Sequence, residues 1–278
     1  MTISGKAKLA GVIGWPVGHS RSPRLHGYWL EHLRIDGAYV PLPVRPEDFQ
    51  QVLEVLPRMG FVGANVTVPH KEQALQLADM VEPLAKRIGA VNTLVVHADG
   101  SIEGRNTDAF GFIENVRHNA PAWKAEAGPA VVLGAGGAAR AVCAALVDAG
   151  VPEVRLINRS VGRAEQVAAD IGGMISVMGW DQVGKAMADS ALLVNTTTLG
   201  MVGQPKLEID LGPLPPHAVV NDIVYAPLIT DLLAAAAGRG NTVVDGLGML
   251  LWQAVPGFEA WFGTRPEVTP ALRDFVLG

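Results

Sequence analysis

The chain has 278 residues, of which nearly half are apolar and 18% are charged, and its formal net charge is −5. This length exceeds one typical compact domain and suits two, and the composition excludes a disordered chain. No run of like charges forms a basic stripe, so we expect neither nucleic acid nor a membrane surface among its partners.

The sequence also limits the expected location and metal content. The single cysteine, Cys143, excludes an internal disulfide and a cysteine-based metal site, and we expect it to be an inert buried thiol. Residues 1–11 lack the long apolar region of a signal peptide, and no run of about 18 apolar residues predicts a membrane span. The expected location is therefore the reducing cytoplasm. The histidines are not spaced as metal ligands, so no metal is expected.

Strand and helix patterns alternate over the first hundred or so residues. This alternation favours a mostly parallel sheet with helices over its faces. The predicted strands are Leu9–Ile13, Ala38–Leu42, Ala64–Val68 and Val91–His97, and the predicted helices are Pro23–Leu33, Glu47–Leu56 and a helix that begins with Lys71–Leu77.

A second alternating series starts near Pro129 and has the pattern of a doubly wound nucleotide-binding fold. We therefore predict an α/β protein of two domains. Residues 1–107 form the first, joined by the C-terminal helical segment 247–278, and residues 108–246 form the second. The second series comprises strands at Ala130–Leu133, Val154–Ile157, Leu192–Asn195, Val219–Asp222 and Thr242–Val244, with helices at Ala138–Ala149 and Asp231–Ala237; the returning helix is Met249–Phe262.

A glycine-rich segment follows the first strand of the second series. Gly134-Ala-Gly136-Gly137-Ala-Ala139 has G-x-G-x-x-G/A spacing between a predicted strand and a predicted helix. Gly134 permits a tight turn, Gly136 lets the backbone approach a pyrophosphate, and Ala139 lets helix and strand pack closely. The helix start offers free N–H groups and a positive dipole end to phosphates. The segment predicts a dinucleotide site; the alternative is a turn that serves packing alone.

The end of the next strand favours NADP over NAD. In NAD enzymes an acidic residue there binds the ribose 2′-hydroxyl. Here Asn158 stands at the strand end, and Arg159 and Arg163 follow it, with Ser160 between them. Guanidinium groups bind a 2′-phosphate through charge-assisted hydrogen bonds, whereas a carboxylate would repel it. The alternative is that both arginines are solvated groups at a helix start.

Polar residues also stand out in the first half. Ser22 suits a helix N-cap, whereas Ser20 has no such structural explanation. Lys71 lies just past a strand end beside a helix start, where open parallel sheets bind ligands, and this position suits an acid–base role. The alternatives are that Lys71 is a solvated residue of a first helical turn, and that Asp108 only caps a helix over Ala109–Asn119.

Nine motifs occur in order along nearly the whole chain, from about residue 10 to about residue 262. They are Ser20-x-Ser22-Pro23; Asn65-Val-Thr67-x-Pro69-x-Lys71; Gly89-Ala-x-Asn92-Thr93; Gly104-x-Asn106-Thr107-Asp108; Gly134-x-Gly136-Gly137; Asn158-Arg159-Ser160; Asn195-Thr-Thr-Thr-Leu-Gly200-Met201; Asp222-Ile-Val-Tyr225-x-Pro227-Leu; and Asp245-Gly246-x-x-Met249-Leu-x-x-Gln253-Ala. In this order and spacing they resemble the shikimate dehydrogenase family. Ser160 replaces a commoner threonine, and Thr198 stands where proline is common.

The resemblance implies an NADP-dependent enzyme that interconverts 3-dehydroshikimate and shikimate, a step of chorismate and aromatic amino-acid biosynthesis, as a monomer or homodimer. It implies Lys71 and Asp108 as the catalytic pair. The implied substrate-binding residues are Ser20, Ser22, Thr67, Lys71, Asn92, Asp108, Tyr225 and Gln253. The implied cofactor-binding residues are Gly134, Ala135, Gly136, Gly137, Ala138, Asn158, Arg159, Ser160, Arg163, Thr196, Ile223, Gly246 and Met249.

Three alternatives share much of this pattern. A quinate or amino-shikimate dehydrogenase would use the same fold, although the serine pair favours shikimate. An NADP(H)-binding sensor without catalysis would be expected to lack Lys71 or Asp108, and both are present. A folate-linked dehydrogenase of similar architecture would need neither the serine pair nor Tyr225.

Overall fold

The chain forms two compact units in the computed structural model, which describes residues 3–278. The first unit extends to Thr107 and also includes Gln253–Gly278, and the second is Asp108–Trp252. Each contains one six-stranded sheet. The predicted α/β class with two sheet-containing units is confirmed. No helix among the described residues is long and apolar enough to cross a membrane.

The sheet of the first unit has the strand order β2-β1-β3-β5-β6-β4. β1 is parallel to β2 and β3, and β4 is parallel to β6, whereas β5 is antiparallel to both of its neighbours. The sheet is therefore mostly parallel, as predicted. Its strands are β1 (Lys8–Gly14), β2 (Gly37–Pro43), β3 (Phe61–Val66), β4 (Met80–Val81), β5 (Thr93–Val96) and β6 (Ile102–Arg105), and its first helices are α1 (Ser22–His32), α2 (Phe49–Val55), α3 (Lys71–Leu77) and α4 (Pro83–Ile88).

The β5–β6 hairpin differs from the single strand predicted over Val91–His97. The chain turns at Asp99-Gly100, where Gly100 has a φ of 87° that glycine adopts without strain. The Asp99 carboxylate accepts the backbone N–H of Ser101 at 2.9 Å and its hydroxyl at 2.6 Å. The Asp-Gly pair was the signal that could have predicted this hairpin. The strand after it is only four residues long and half polar, so its periodicity is weak.

The second unit has an all-parallel sheet with the strand order β12-β11-β10-β7-β8-β9. Counted from β7, this is the 3-2-1-4-5-6 order of doubly wound dinucleotide-binding folds. Every residue of β7, β10 and β11 is buried, as expected for strands covered on both faces. The elements are α5 (Asp108–Asn119), β7 (Ala130–Leu133), α6 (Gly137–Asp148), β8 (Val154–Asn158), α7 (Val161–Ile171), β9 (Ile175–Gly179), α8 (Val183–Met187), β10 (Leu192–Asn195), β11 (Val219–Asp222), α9 (Asp231–Gly238) and β12 (Val243–Val244).

Two helix starts correct the predicted caps. Helix α1 begins at Ser22 itself; its N-cap is Arg21, which makes no side-chain capping bond, so the prediction of Ser22 as the cap is wrong. Helix α5 begins at Asp108, so the structure does not bear out the alternative that Asp108 only caps a helix over Ala109–Asn119. A carboxylate in a first helical turn is still favourable, because it faces the positive end of the helix dipole.

The last two helices are α10 (Leu247–Phe262) and α11 (Pro270–Leu277). Residues of α10 from Gln253 onward belong to the first unit, so the return of this helix to the first unit is confirmed. Its Trp261 is buried, and the indole N–H donates to the Leu94 carbonyl at 2.8 Å. Phe258 is fully buried against Trp29. Burial of one such side chain stabilises a fold by about 1.5–3 kcal/mol, which fixes the segment on the first core.

Candidate active site

Thr67 and Lys71 follow β3 at the carboxyl edge of the first sheet. The backbone N–H of Thr67 donates to the Ile13 carbonyl at 2.9 Å, which holds Thr67 against β1. A Cβ atom at Gly14 would lie 2.5 Å from the Thr67 methyl carbon, so only glycine there permits this approach. Lys71 is the half-buried first residue of α3. The edge therefore presents a hydroxyl and an ammonium group where parallel sheets bind ligands.

Ser20 and Ser22 lie where the chain enters α1. Ser22 is buried and Ser20 is half-buried. The Ser20 hydroxyl oxygen accepts the backbone N–H of Ser22 at 3.3 Å. Ser20 therefore has a local structural role, contrary to the expectation that it had none. At the start of α1, the Ser20 hydroxyl therefore accepts a backbone N–H, which is the kind of bond that was expected from the Ser22 side chain.

A buried hydrogen-bond network connects Asn92 with Gln253 in the first unit. The Asn92 side-chain N–H donates to the Gln253 side-chain oxygen at 3.4 Å and to the Thr107 hydroxyl at 3.1 Å. The Asn92 side-chain oxygen accepts from the Thr107 backbone N–H at 2.8 Å and from the Thr93 hydroxyl at 2.9 Å. The structure thus brings together two predicted substrate-binding residues that are 161 positions apart in sequence.

The network continues from Thr93 through Asn65 to an aromatic cluster. The Tyr39 hydroxyl donates to the Asn65 side-chain oxygen at 2.6 Å, and the His26 ring stacks on Tyr39 with centroids 4.0 Å apart. Burial lowers the pKa of His26 to about 3, so its imidazole is neutral at neutral pH. Burial raises the pKa of the Tyr39 hydroxyl well above its ordinary range, and a hydrogen bond with Ser22 opposes that shift.

In the second unit, the glycine segment joins β7 to α6 between the ends of β7 and β10, where the strand order reverses. Gly134 has a φ of 100°, and a Cβ there would lie 2.9 Å from the Thr197 methyl carbon. A Cβ at Gly136 or Gly137 would meet no atom within 4 Å, so the backbone is open to a ligand there. No side chain caps α6, which leaves its first N–H groups directed out of the helix. This start of α6 can hold an anion.

Other segments with predicted cofactor residues lie along the same edge of the sheet. The Thr196 hydroxyl donates to the Leu133 carbonyl at 2.6 Å, just before Gly134. A Cβ at Gly246 would lie 2.2 Å from the Ile223 carbonyl oxygen, so glycine is required for this backbone contact. Met249 is half-buried on the first turn of α10. Several predicted cofactor residues thus cluster at the carboxyl edge of one sheet.

Asp222 organises the loops after β10 and β11. Its carboxylate accepts from the Asn195 amide at 3.0 Å, from the Val224 backbone N–H at 3.0 Å and from the Thr230 hydroxyl at 2.7 Å. Burial raises the pKa of this carboxyl group, and the three hydrogen bonds oppose that shift. Because one donor ends β10 and the other two lie between β11 and α9, Asp222 fixes the backbone that carries Ile223 and Tyr225.

Asn158, Arg159 and Arg163 form a polar edge after β8. Both arginines are exposed, and within residues 3–278 neither is in an ion pair. The Asn158 side-chain N–H donates to the Ser160 carbonyl at 2.8 Å, which fixes the turn into α7. Exposed guanidinium groups that are in no ion pair are suited to a phosphate group.

Comparison with known proteins identifies the family. Three family models match: shikimate dehydrogenase substrate binding domain over residues 12–94, shikimate / quinate 5-dehydrogenase over residues 117–201, and shikimate 5′-dehydrogenase C-terminal domain over residues 246–273. A shikimate dehydrogenase (NADP(+)) of Paramagnetospirillum magneticum is 66% identical over 99% of this chain and 100% of its own length. The chain belongs to the shikimate dehydrogenase family.

Solved structures of this family agree in fold along the whole chain. Shikimate 5-dehydrogenase from Thermus thermophilus, in complex with NADP(H) and shikimate, has 37% identity and a TM-score of 0.86, covering 97% of this chain and 98% of its own. Quinate dehydrogenase from Corynebacterium glutamicum, in complex with NAD, has 31% identity and a TM-score of 0.91, covering 98% and 99%. The family therefore includes similar folds with different substrates and cofactors.

The candidate residues divide between the two units. Lys71 lies in the first unit, whereas Asp108 and Tyr225 lie in the second. Asp108 and Tyr225 also lie outside the three regions matched by the family models. The first unit holds Ser20, Ser22, Thr67, Lys71, Asn92 and Gln253; the second holds Asp108, Tyr225 and the whole predicted cofactor set.

No role was predicted from the sequence for several buried polar residues of the two sheets. Tyr39 and Thr93 in the first unit and Asp222 in the second are all buried. Thr93 and Asp222 are within the quoted motifs, so their polar character in buried strands was an available signal. Tyr39 is in none of the nine motifs, and only its tertiary contact with Asn65 distinguishes it from an ordinary strand tyrosine.

Proposed function

We propose that this protein is an NADP-dependent shikimate dehydrogenase that reversibly reduces the ring ketone of 3-dehydroshikimate to shikimate. The observation that carries this proposal is 66% identity to an NADP(+) shikimate dehydrogenase over nearly the full length of both chains. The reaction is part of the biosynthesis of chorismate and the aromatic amino acids.

The residues present fit NADP. The start of α6 offers backbone N–H groups beside Gly136, where no neighbouring atom fills the space. Arg159 and Arg163 supply exposed positive charge for the 2′-phosphate, with Asn158 and Ser160 completing that edge. Ala135, Ala138, Thr196, Ile223, Gly246 and Met249 would complete the site. When bound, NADPH supplies the hydride, and the protein supplies position and electrostatics.

In this proposal the first unit binds the substrate through side chains of fixed orientation. Ser20, Ser22, Thr67, Asn92 and Gln253 would hold its hydroxyl and carboxylate groups, together with Tyr225 of the second unit. Lys71 Nζ would hydrogen bond the ketone oxygen and would supply a proton to it or stabilise the negative charge that develops there. Asp108 is the second member of the proposed catalytic pair. The cofactor belongs to the second unit, which has the strand order of dinucleotide-binding folds.

A quinate dehydrogenase is the second candidate. Its basis is the fold similarity to a quinate dehydrogenase, with a TM-score of 0.91, and a family model that describes both substrates. The arginine pair after β8 favours NADP, whereas that structure is in complex with NAD. A sensor without catalysis is less well supported, because both Lys71 and Asp108 are retained.

The test is an absorbance assay of NADP⁺ reduction by the purified protein, with shikimate and quinate as substrates and NAD⁺ as the comparison cofactor. We expect the highest kcat/KM with shikimate and NADP⁺. A higher kcat/KM with quinate would replace the proposed substrate, and no turnover with either would contradict the enzyme assignment. We further propose that the protein is cytoplasmic and a monomer or homodimer; analytical ultracentrifugation decides the latter.

A further inference from the structure

Thr93 contacts both Asn65 and Asn92, although the proposed chemistry does not use it. It is the fully buried first residue of β5 and lies opposite Asn65 of β3 in the antiparallel register. Its hydroxyl accepts from the Asn65 side-chain N–H at 3.1 Å and donates to the Asn92 side-chain oxygen at 2.9 Å. Because a hydroxyl has one hydrogen, the bond to Asn92 uses the only proton that Thr93 can donate from its side chain.

Backbone groups fix the direction of these bonds. The Asn65 side-chain nitrogen also donates to the Asn92 backbone carbonyl at 3.2 Å, and a carbonyl can only accept. The Thr107 backbone N–H can only donate, so the Asn92 atom 2.8 Å from it must be oxygen. At the other end, the Tyr39 hydroxyl donates to the Asn65 side-chain oxygen at 2.6 Å. Both amides therefore have one favourable orientation.

The orientation of the Asn92 amide also sets the orientation of the Gln253 amide. With its oxygen held by Thr93 and Thr107, the Asn92 amide turns its nitrogen toward the Gln253 side-chain oxygen, 3.4 Å away. Gln253 therefore turns its own nitrogen away from Asn92. The reversed orientation of Asn92 would put a side-chain N–H against the Thr107 backbone N–H and would take from the Thr93 hydroxyl the acceptor of its proton, which is a costly arrangement in a buried site. Both N–H groups of Asn92 are then used within the network, and Gln253 is the amide whose nitrogen faces away from Asn92. An N–H donor at that position suits oxygen atoms of a polyhydroxylated acid.

We propose that Thr93, supported by Asn65 and Tyr39, is a positioning residue that acts together with the Thr107 backbone N–H to hold the amide orientation of Asn92 and, through Asn92, of Gln253. The proposal rests on the proposed function for its ligand, since Asn92 and Gln253 are taken there to bind the substrate. Thr93 itself contacts no reacting atom. Its removal should weaken substrate binding and leave cofactor binding unaffected, because every member of the network belongs to the first unit.

The test compares Thr93→Val, which keeps the shape and removes the hydroxyl, with Thr93→Ser, which keeps the hydroxyl and removes a methyl group. We expect Thr93→Val to raise the KM for shikimate by about 5- to 50-fold, the range for leaving buried hydrogen-bond partners unmatched. The KM for NADP⁺ should stay within about 2-fold, and Thr93→Ser should stay within about 3-fold of wild type in both, well below the effect of a lost buried hydrogen bond.

Several outcomes would overturn the proposal. One is a folded Thr93→Val with an unchanged KM for shikimate. Another is Thr93→Ser as impaired as Thr93→Val, which would assign the effect to volume. A third is an equal rise of both KM values, which would indicate general loosening. Tyr39→Phe removes the first donor of the same series of hydrogen bonds and should also raise the KM for shikimate. This variant therefore tests the positioning role if Thr93→Val does not fold.

A measurement without turnover separates this proposal from the proposed function. If wild type does not oxidise shikimate, the proposed function fails, and hydrogen exchange of the Asn92 side-chain amide by ¹⁵N NMR still tests the network. We expect faster exchange in Thr93→Val than in wild type and Thr93→Ser. Equal exchange rates in all three proteins would overturn the positioning role.

Discussion

The carboxyl edges of the two sheets each contain a buried polar network, and the two networks differ in charge and in what they hold. In the first unit, Asn65, Thr93 and Asn92 are neutral and contact one another through their side chains. In the second, the Asp222 carboxylate accepts from the end of β10 and from two residues between β11 and α9, which fixes backbone segments. Side chains that bind a ligand directly need a set orientation, whereas a site built from glycine N–H groups needs a set backbone. Changes in the first network should therefore alter substrate affinity, and changes in the second should alter stability.

The largest expected effect is that of Lys71→Met in the first unit. Removal of a proton-transfer group lowers turnover by about 10²- to 10⁴-fold, whereas a merely solvated lysine would tolerate the change. The KM for shikimate should change far less, because the neutral network remains. Steady-state kinetics with shikimate and NADP⁺, together with thermal unfolding, measures this. A folded variant that keeps more than about a tenth of wild-type turnover would show that Lys71 is not catalytic.

The buried His26 should make the first unit sensitive to acid. Burial lowers its pKa to about 3, below the value of about 6.5 in an unfolded chain. The unfolded state therefore binds the proton first, and stability that is present above about pH 6.5 is lost as the pH falls toward 3. Between pH 7 and pH 4, the unfolding free energy of His26→Phe should fall by roughly 3 kcal/mol less than that of the wild type. Urea unfolding at both pH values measures this, and an unchanged difference would contradict the assignment.

Cofactor choice should depend on the exposed arginines of the second unit. Arg159→Ala should weaken NADP⁺ by about 1.5–3 kcal/mol and NAD⁺ much less, because one charged hydrogen bond to the 2′-phosphate is lost. The KM values for both cofactors measure the difference. Arg140→Ala is a matched control, because Arg140 is on α6 and pairs with Asp170 at 2.7 Å. Equal losses for NADP⁺ and NAD⁺ in Arg159→Ala would exclude phosphate recognition by this residue.

The smallest effect is expected for Thr230→Val in the second network. The Thr230 hydroxyl donates to Asp222 at 2.7 Å and accepts the Leu233 N–H at 3.4 Å as the N-cap of α9. Its loss should lower the unfolding free energy by about 1–2 kcal/mol. The KM for shikimate should change less than in Thr93→Val, which has the same chemical change in the first unit. If Thr230→Val raised that KM as much, the contrast between the two networks would be wrong.

Much of the second unit could be predicted from sequence because its signals are local. The Gly134 segment, the buried strand before it and the arginines after the next strand are each contained within a few residues. The structure shows why Gly134 is needed, through its φ of 100° and its contact with Thr197. The roles of Ser22 and Asp108 at their helix starts were predicted less well, because a shift of one residue separates a cap from a first-turn position.

The fold class, the family, the dinucleotide segment and the candidate residues could all be predicted from the sequence, since they depend on periodicity, spacing and residue type. How the candidate side chains are held depends instead on tertiary packing. Asn92 and Gln253 are 161 residues apart, and Tyr39 reaches Asn65 only because β1 brings β2 and β3 into one sheet. The direction of a hydrogen bond is set by whichever group packing places opposite it, and no local pattern contains that information.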